Sequence, residues 1–396
     1  MRPVIYMDYN ATTPCRKEVV EAMLPYFEHD FGNPSSDHAH GWMAKDAIEE
    51  ATTTIANTLH IQDNDIIYTS GATEGINMVL KGLAFETNGK KRHMIVTSNA
   101  HKAVLDCCGY LEEKGFDITY LPVDSQGLVS LTELEAALRS DTLLVSILYA
   151  NNETGMLQPL SKIGELVHAN NSLLFSDATQ ALGKVSLTSV FEHSDFACFS
   201  AHKVYGPKGI GWVYRKPNEN GKALPGFIHG GGQQNGQRGG TLNTPLIIGM
   251  AKAIFLAQEN LERETKRISA LRDFLEEGLL QIDQAISNST GTHRLPNTLN
   301  VSFPFVDGSK LLTALGLKVA VSNGSACKAT SVAPSHVLSS MGIPSGLAMA
   351  SIRCSLGLST TSEEVKQTLD IITTAVERQR ADNILWEQRY SKTEQT

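Results

Sequence analysis

A lysine with an unusual setting lies near the middle of the chain. Phe196-Ala197-Cys198-Phe199 is a short apolar run, and Ser200-Ala201-His202-Lys203 follows it directly, with glycines close behind at 206, 209 and 211. A lysine at the end of a buried strand is costly unless its amine reacts or is paired. A Schiff base between Lys203 and an aldehyde cofactor removes that cost, and a depressed pKa helps the bond to form. A surface turn that carries Lys203 and Lys208 is the equally simple alternative.

Other polar groups follow neighbouring apolar runs. Asp177 ends one run, where its carboxylate could pair with a protonated pyridine nitrogen, and Gln180 could face the same site. The stretch 69–74 joins a predicted strand to a predicted helix and offers N–H groups and hydroxyls that suit a phosphate. The ring of His101 could stack on a cofactor, and a purely structural role is the alternative. Helix capping explains Asp177 or the stretch 69–74 equally well when each is taken alone.

Strand-like and helix-like segments alternate between residues 65 and 215 and would position these groups. Predicted strands cover 65–69, 93–97, 117–121, 142–149 and 173–177. Predicted helices cover 73–83, 103–114, 131–138 and 160–169. This alternation predicts an α/β domain with a largely parallel sheet, whose ligands bind beyond the carboxyl ends of the strands.

The sequence changes character after about residue 257. A charged amphipathic segment at 257–280 predicts a helix that leads to a second domain. That domain has a predicted strand at 298–302 and predicted helices at 310–315 and 363–378. A chain of 396 residues suits two domains, each with its own core.

The bulk composition limits the classes of function. The net charge of −8, without a block of Lys and Arg, argues against a direct nucleic-acid surface. No apolar run approaches the roughly 20 residues that span a bilayer, and the start predicts no signal peptide, so a cytoplasmic location without membrane contact is expected. The spacing of the cysteines fits no metal site, and in the cytoplasm they are expected to be thiols. The six are Cys15, Cys107, Cys108, Cys198, Cys327 and Cys354.

Many blocks of the sequence, in order along nearly the whole chain, resemble the NifS- and IscS-type cysteine desulfurases. This group belongs to the class V aminotransferases among the fold-type I pyridoxal-phosphate enzymes. The blocks lie at 6–14, 33–36, 70–74, 101–105, 151–155, 177–180, 200–211, 230–233, 325–327 and 351–353. The resemblance implies pyridoxal 5'-phosphate and a large domain, 15–257, with a mainly parallel seven-stranded sheet flanked by helices. It also implies a smaller α/β domain of 258–396 together with 1–14.

The resemblance assigns the contacts of the cofactor ring and of the substrate. It implies that Lys203 bonds covalently to the cofactor, that His101 stacks on the ring, and that Asp177 holds the pyridine nitrogen. Gln180 is expected to contact the ring hydroxyl. The substrate, L-cysteine, is expected to bind through its carboxylate to Arg353 and to Asn152, which also borders the cofactor.

Phosphate binding is expected from several segments. The residues so implied are Ala72, Thr73, Ser200, His202 and, from a neighbouring subunit, Thr241. A phosphate site shared in this way implies a homodimer.

Cys327 is the expected sulfur acceptor. Small and polar residues surround it at about 323–335 and predict a flexible loop, and Lys328 beside the thiol favours the thiolate. The length of this loop resembles the IscS-like branch. A persulfide formed on Cys327 would then pass to a sulfur-acceptor protein.

Four positions depart from the family pattern and leave the pathway open. They are Ala100, Asn235, Gly239 and Asn323, where Glu, Arg, Ser and Ser respectively are common in the family. Iron–sulfur cluster assembly, tRNA thiolation and DNA phosphorothioation are all compatible destinations for the sulfur. Selenocysteine lysis, transamination or a non-catalytic scaffold with the same fold are the alternatives, and transamination needs no loop thiol.

Overall fold

The computed structural model describes residues 4–87, 90–216, 224–323 and 333–387. Cys327 and most of the predicted loop at 323–335 therefore lie outside the described residues. The strands are β1 (Ile5–Tyr6), β2 (Ile66–Thr69), β3 (His93–Thr97), β4 (Asp117–Leu121), β5 (Thr142–Leu148), β6 (Leu173–Asp177), β7 (Phe196–Ser200), β8 (Gly211–Arg215), β9 (Ile286–Ser287), β10 (Thr298–Ser302), β11 (Val319–Ala320) and β12 (Ser351–Ser355).

Fourteen α-helices lie within these ranges. They are α1 (Lys17–Met23), α2 (Pro25–Glu28), α3 (Ala39–Leu59), α4 (Ala72–Glu86), α5 (Lys102–Glu113), α6 (Leu131–Ala137), α7 (Leu160–Ala169), α8 (Thr188–His193), α9 (Thr244–Glu259), α10 (Leu261–Leu279), α11 (Gly308–Leu315), α12 (His336–Ser340), α13 (Ser345–Met349) and α14 (Ser362–Ala381). None of them combines the length and the apolar character needed to cross a membrane.

Seven strands form the main sheet in the order β2-β8-β7-β6-β5-β3-β4. The strands from β7 to β4 are parallel, and only β8 runs antiparallel to its neighbours β2 and β7. This confirms the predicted α/β architecture with a mainly parallel seven-stranded sheet. Since β2 and β7 both oppose β8, the carboxyl ends of β2, β3, β5, β6 and β7 meet at one edge.

Helices cover both faces of this sheet. Successive side chains of a strand point to opposite faces, and in β3 Ile95 enters one core while Met94 and Val96 enter the other. The first core includes side chains from α3, α7 and α9, and the second includes side chains from α4 and α5. All seven residues of β5 are buried, as expected for a strand that is covered on both sides.

A second group of elements has its own core. The strands β12, β10 and β9 form an antiparallel sheet, β1 pairs with β11, and α10, α11 and α14 pack over them. Ile5 and Met7, near the start of the chain, contribute to this core rather than to the main one. The division into a domain of 15–257 and a second domain of 258–396 with 1–14 stays a prediction.

The predicted helix at 257–280 is two helices in the structure. α9 ends at Glu259 and α10 begins at Leu261. Asn260 lies between them, and its side-chain amide donates to the carbonyl oxygen of Leu256 at 3.0 Å. Asparagine competes with the backbone for such bonds and so tends to end a helix.

Candidate active site

A cavity of about 700 Å³ opens at the carboxyl edge of the main sheet. It brings together ten of the twelve predicted site residues. They are Ala72, Thr73, His101, Asn152, Asp177, Gln180, Ser200, His202, Lys203 and Arg353. Of the other two, Thr241 is exposed and does not line this cavity, and Cys327 lies outside the described residues.

Lys203 reaches the cavity from the turn that follows β7. Its Nζ donates to the carbonyl oxygens of Asn10 at 2.6 Å and Ala11 at 2.8 Å. Desolvation, followed by the charge of Arg353, lowers the pKa of the amine to about 8. A substantial neutral fraction near neutral pH makes Lys203 a nucleophile for a carbonyl group.

Asp177 ends β6 and is 4% exposed. Its Oδ1 accepts a hydrogen bond from the N–H of Thr179 at 3.1 Å. Within the described ranges no Lys or Arg forms an ion pair with it. A buried carboxylate is stable only when it is compensated, so Asp177 fits a protonated ring nitrogen from a bound group.

The first turn of α4 forms an anion site. Its N–H groups lack partners within the helix and carry the positive end of the helix dipole. The N–H of Ala72 donates to Ser200 Oγ at 2.8 Å, which fixes that hydroxyl beside the helix start. Gly71 has φ of 153°, and a side chain at Gly211 would lie 2.7 Å from its Cα, so the turn requires both glycines. A phosphate fits this turn.

Two histidines flank the amine and are held neutral. His202 Nδ1 lies 3.1 Å from Thr12 Oγ1, and desolvation together with nearby lysines lowers its pKa to about 4. His101 is the N-cap of α5, and its Nδ1 accepts from the N–H of Ala103 at 3.1 Å. Its ring is open to the cavity, and desolvation lowers its pKa. The hydrogen bond at Nδ1 places the proton of the neutral ring on Nε2.

Arg353 enters the cavity from β12 and pairs with a residue that was not predicted. Its NH2 donates to Asp8 Oδ1 at 2.6 Å, and its NH1 donates to the carbonyl oxygen of Asn152 at 3.0 Å. Its Nε is buried and has no partner among the described residues. Ser322 Oγ donates to the other oxygen of Asp8 at 3.1 Å. Asp8 lies in the block 6–14, but no local pattern indicates a partner 345 positions away.

Further residues around the cavity were also missed by sequence reasoning. Asn10 donates through Nδ2 to the carbonyl oxygen of Asn152 at 3.1 Å and to Thr298 Oγ1 at 2.8 Å. Glu153 is buried, accepts from Ser335 Oγ at 2.5 Å, and has its pKa raised by desolvation. These contacts join the sheet edge to the second domain, and only the block pattern around them could have drawn attention to them.

Three of the departures from the family pattern have local explanations. A Cβ atom on Gly239 would lie 2.5 Å from the carbonyl oxygen of Gly230, so a serine does not fit this backbone. Asn235 has φ of 57°, a conformation that asparagine tolerates better than most side chains. Ala100 is fully buried in the second core, where a glutamate would place an uncompensated charge. Nothing in the structure explains Asn323.

Lys203 is expected to be the amine that an aldehyde cofactor labels. Protein purified with such a cofactor should be yellow, and borohydride should abolish the visible band and fix the label on Lys203, as mapped by peptide mass spectrometry. In protein freed of cofactor, reaction of this amine should increase through about pH 8, where its pKa lies. Lys208→Ala is the matched control and should keep the label, whereas a label mapped to Lys208 contradicts the assignment.

Comparison with known proteins identifies the family. The family model described as class-V aminotransferase matches residues 5–368. The cysteine desulfurase IscS of Dictyoglomus turgidum is 44% identical over 382 residues, which are 96% of this chain and 96% of that protein. The cysteine desulfurase IscS of Methanosarcina thermophila is 44% identical over 377 residues, or 95% of this chain and 93% of that protein.

Solved structures agree with this relationship. A NifS-like protein has a TM-score of 0.88 at 39% identity and covers 95% of this chain and 100% of its own. SspA, solved in complex with cysteine, has a TM-score of 0.77 at 37% identity and covers 89% of this chain and 99% of its own. The chain therefore belongs to the class-V aminotransferase family and, within it, to the cysteine desulfurases.

Proposed function

We propose that this chain is a pyridoxal 5'-phosphate-dependent cysteine desulfurase, which converts L-cysteine to L-alanine and retains the sulfur on Cys327 as a persulfide. The observation that carries the proposal is the cavity itself. It brings together the amine of Lys203, whose pKa is lowered, the start of α4 and the carboxylate of Asp177, which forms no ion pair within the described residues. The chain is also 44% identical to a cysteine desulfurase.

The cavity fits the cofactor at each of its chemical groups. Lys203 would hold the aldehyde carbon, Asp177 the ring nitrogen and Gln180 the ring oxygen, while His101 would stack on the ring. Around the start of α4, the phosphate would be held by Ala72, Thr73, Ser200 and His202. When bound, pyridoxal phosphate supplies an electron sink for negative charge at the substrate Cα.

Lys203 would also move the proton of the substrate. With substrate bound, its free Nζ would take the proton from Cα. The carbonyl oxygens of Asn10 and Ala11, at 2.6 and 2.8 Å, are placed to hold the resulting ammonium. A pKa of about 8 allows the same group to accept and return a proton near neutral pH.

Arg353 would hold the substrate carboxylate. It is 7% exposed at the side chain, and its buried Nε lacks a partner among the described residues. A carboxylate oxygen supplies that partner, and Asn152 borders the same part of the cavity. The related protein SspA is solved in complex with cysteine. The carboxylate of such a small amino acid is the group that Arg353 would bind.

The sulfur step is balanced without an external oxidant. The thiolate of Cys327 attacks the substrate sulfur, a sulfur–sulfur bond forms, and the bond between that sulfur and Cβ breaks. The electron pair remains with carbon, which takes a proton and becomes the methyl group of alanine. The segment 324–332 that carries Cys327 connects Asn323 and Ala333, and both line the cavity.

The persulfide would then pass to a thiol of an acceptor protein. The proposal places the enzyme in the cytoplasm, because reducing conditions there keep Cys327 available as a thiol.

Arg353→Lys should weaken substrate binding more than cofactor binding. Lysine keeps the charge but loses the planar fork, so kcat/KM for cysteine should fall at least about tenfold, equivalent to about 1.4 kcal/mol. The visible cofactor band should remain. Arg263→Lys is the control, since that side chain is 73% exposed. An unchanged kcat/KM in Arg353→Lys contradicts the proposal that Arg353 binds the substrate carboxylate.

Cys327→Ala should bind the cofactor and cysteine but lose turnover. Alanine release should fall by about two orders of magnitude or more, because the nucleophile that takes the sulfur is missing. Cys108→Ala and Cys354→Ala serve as controls, since both thiols are buried and burial raises the pKa of each to about 12. Near-normal alanine release by Cys327→Ala would exclude Cys327 as the sulfur acceptor.

A homodimer should form, since the chain exposes apolar side chains near its start. They are Val20, Leu24, Phe27, Phe31, Trp42 and Met43, at 42–68% exposure. Clusters of exposed apolar side chains are typical of interfaces. Sedimentation should show twice the chain mass of 43.0 kDa at micromolar concentration, and Trp42→Glu should favour the monomer.

Thr241→Ala tests the shared phosphate site. It should leave the dimer intact but make the cofactor easier to remove by dialysis, because Thr241 would serve the other subunit. The exposed Thr188→Ala, on α8, should change neither property. A fully active monomer would contradict both the dimer and the shared site.

A further inference from the structure

The side-chain amide of Gln180 is held from two sides. Lys184 Nζ donates to its Oε1 at 2.7 Å, and its own Nε2 donates to the carbonyl oxygen of Asn10 at 2.9 Å. Gln180 is 4% exposed, so water does not readily replace either partner. Lys184 does not line the main cavity and was not among the predicted site residues.

These two partners determine which end of the amide is oxygen. A carbonyl oxygen only accepts, so the atom beside Asn10 is the nitrogen, and an ammonium only donates, so the atom beside Lys184 is the oxygen. A glutamine without such partners can be reversed with little change in shape. In the reversed amide, the NH2 group would face the ammonium of Lys184, and the oxygen would face the carbonyl oxygen of Asn10. Neither pair can form a hydrogen bond. Gln180 lines the main cavity, and its one remaining N–H is the donor that it can offer there.

Lys184 can donate in both of its protonation states. Desolvation, followed by the charges of Lys203 and Arg353, lowers its pKa to about 7. Near neutral pH both the ammonium and the amine are present, and each has N–H groups. The carbonyl of Asn10 adds a constraint that does not depend on pH.

The turn that carries Lys184 is fixed by its neighbours. Thr265 Oγ1, on α10, donates to the carbonyl oxygen of Lys184 at 3.0 Å. Gly183 has φ of 70°, and a Cβ atom there would lie 2.4 Å from Val204, the residue that follows Lys203. A small cavity of about 30 Å³ is lined by both Lys184 and Lys203. The distance from Lys184 to Gln180 is thus set by the packing and not by a free side chain.

We propose that Lys184 is a positioning residue, which fixes Gln180 as a hydrogen-bond donor toward the ring oxygen of pyridoxal phosphate. The inference rests on the proposed function, because it concerns a group that this cofactor carries. A donor at that oxygen stabilises its deprotonated form and shares its negative charge. The nitrogen that would join Lys203 to the cofactor would then hold its proton less tightly. Lys184 thereby lowers the pH at which that nitrogen loses its proton.

The pH dependence of the visible cofactor band in the holoenzyme measures this effect without turnover. Lys184→Met keeps the length of the side chain but removes the donor, and the midpoint of the titration should rise by about one pH unit. Lys184→Arg keeps a donor and should stay near the wild-type midpoint. Lys162→Met, on the exposed side of α7, is the matched control and should not shift. An unchanged midpoint in Lys184→Met overturns the proposal.

A double substitution separates positioning from a simple effect of charge. If Lys184 acts through Gln180, Lys184→Met should change the midpoint little once Gln180 is already alanine. An equal rise in both backgrounds means that Lys184 acts by its charge alone, and this result overturns the positioning role.

Gln180→Glu provides a second test if Lys184→Met does not fold. The carboxylate keeps a partner for Lys184 but has no donor for the ring oxygen, so the midpoint should rise, and an unchanged midpoint overturns the proposal. A wild-type protein with no visible band at all contradicts the proposed cofactor instead. The two kinds of failure are therefore distinguishable.

Discussion

The carbonyl oxygen of Asn10 accepts hydrogen bonds from two side chains on which the site depends, Lys203 and Gln180. The side chain of the same residue reaches Asn152 and Thr298, and it accepts from Asn297 at 3.0 Å. One buried residue near the start of the chain thus connects the ends of several strands with the second domain. Because each of these groups is buried or nearly so, losing one partner leaves the others unsatisfied, which makes the arrangement cooperative.

The charges of the cavity follow from the same packing. Lys203, Lys184 and Arg353 bring positive charge into a partly desolvated space, and Asp8 compensates only Arg353 directly. Desolvation lowers the pKa of both lysines into the range where an amine exchanges protons near neutral pH. Asp177 is left with a hydrogen bond from Thr179 and faces the cavity. A site with this balance suits a cofactor that carries a phosphate, a ring nitrogen and an aldehyde.

Local sequence patterns were sufficient for most elements of the main sheet. The predicted bounds of β3, β4 and β6 match the structure, and α7 does as well. These segments follow the alternation of apolar runs, which is a property of neighbouring residues. The patterns missed β8 in the main sheet, β12 in the second domain and the break at Asn260. In β12 the charged residue Arg353 interrupts the apolar pattern by which a buried strand is recognised. The helix break depends on one side chain, that of Asn260, which competes for a backbone hydrogen bond.

By itself the sequence determined the family, the sheet and most of the side chains that meet in the cavity, because the reactive side chains follow strand ends that a parallel sheet brings to one edge. It also singled out Cys327 and Thr241, whose roles remain predictions. Only the tertiary structure decided that Asp8 pairs with Arg353 and that Lys184 holds Gln180. The first pair spans 345 positions, and the second depends on which way an amide faces. Both are properties of packing in three dimensions, which no periodicity along the chain encodes.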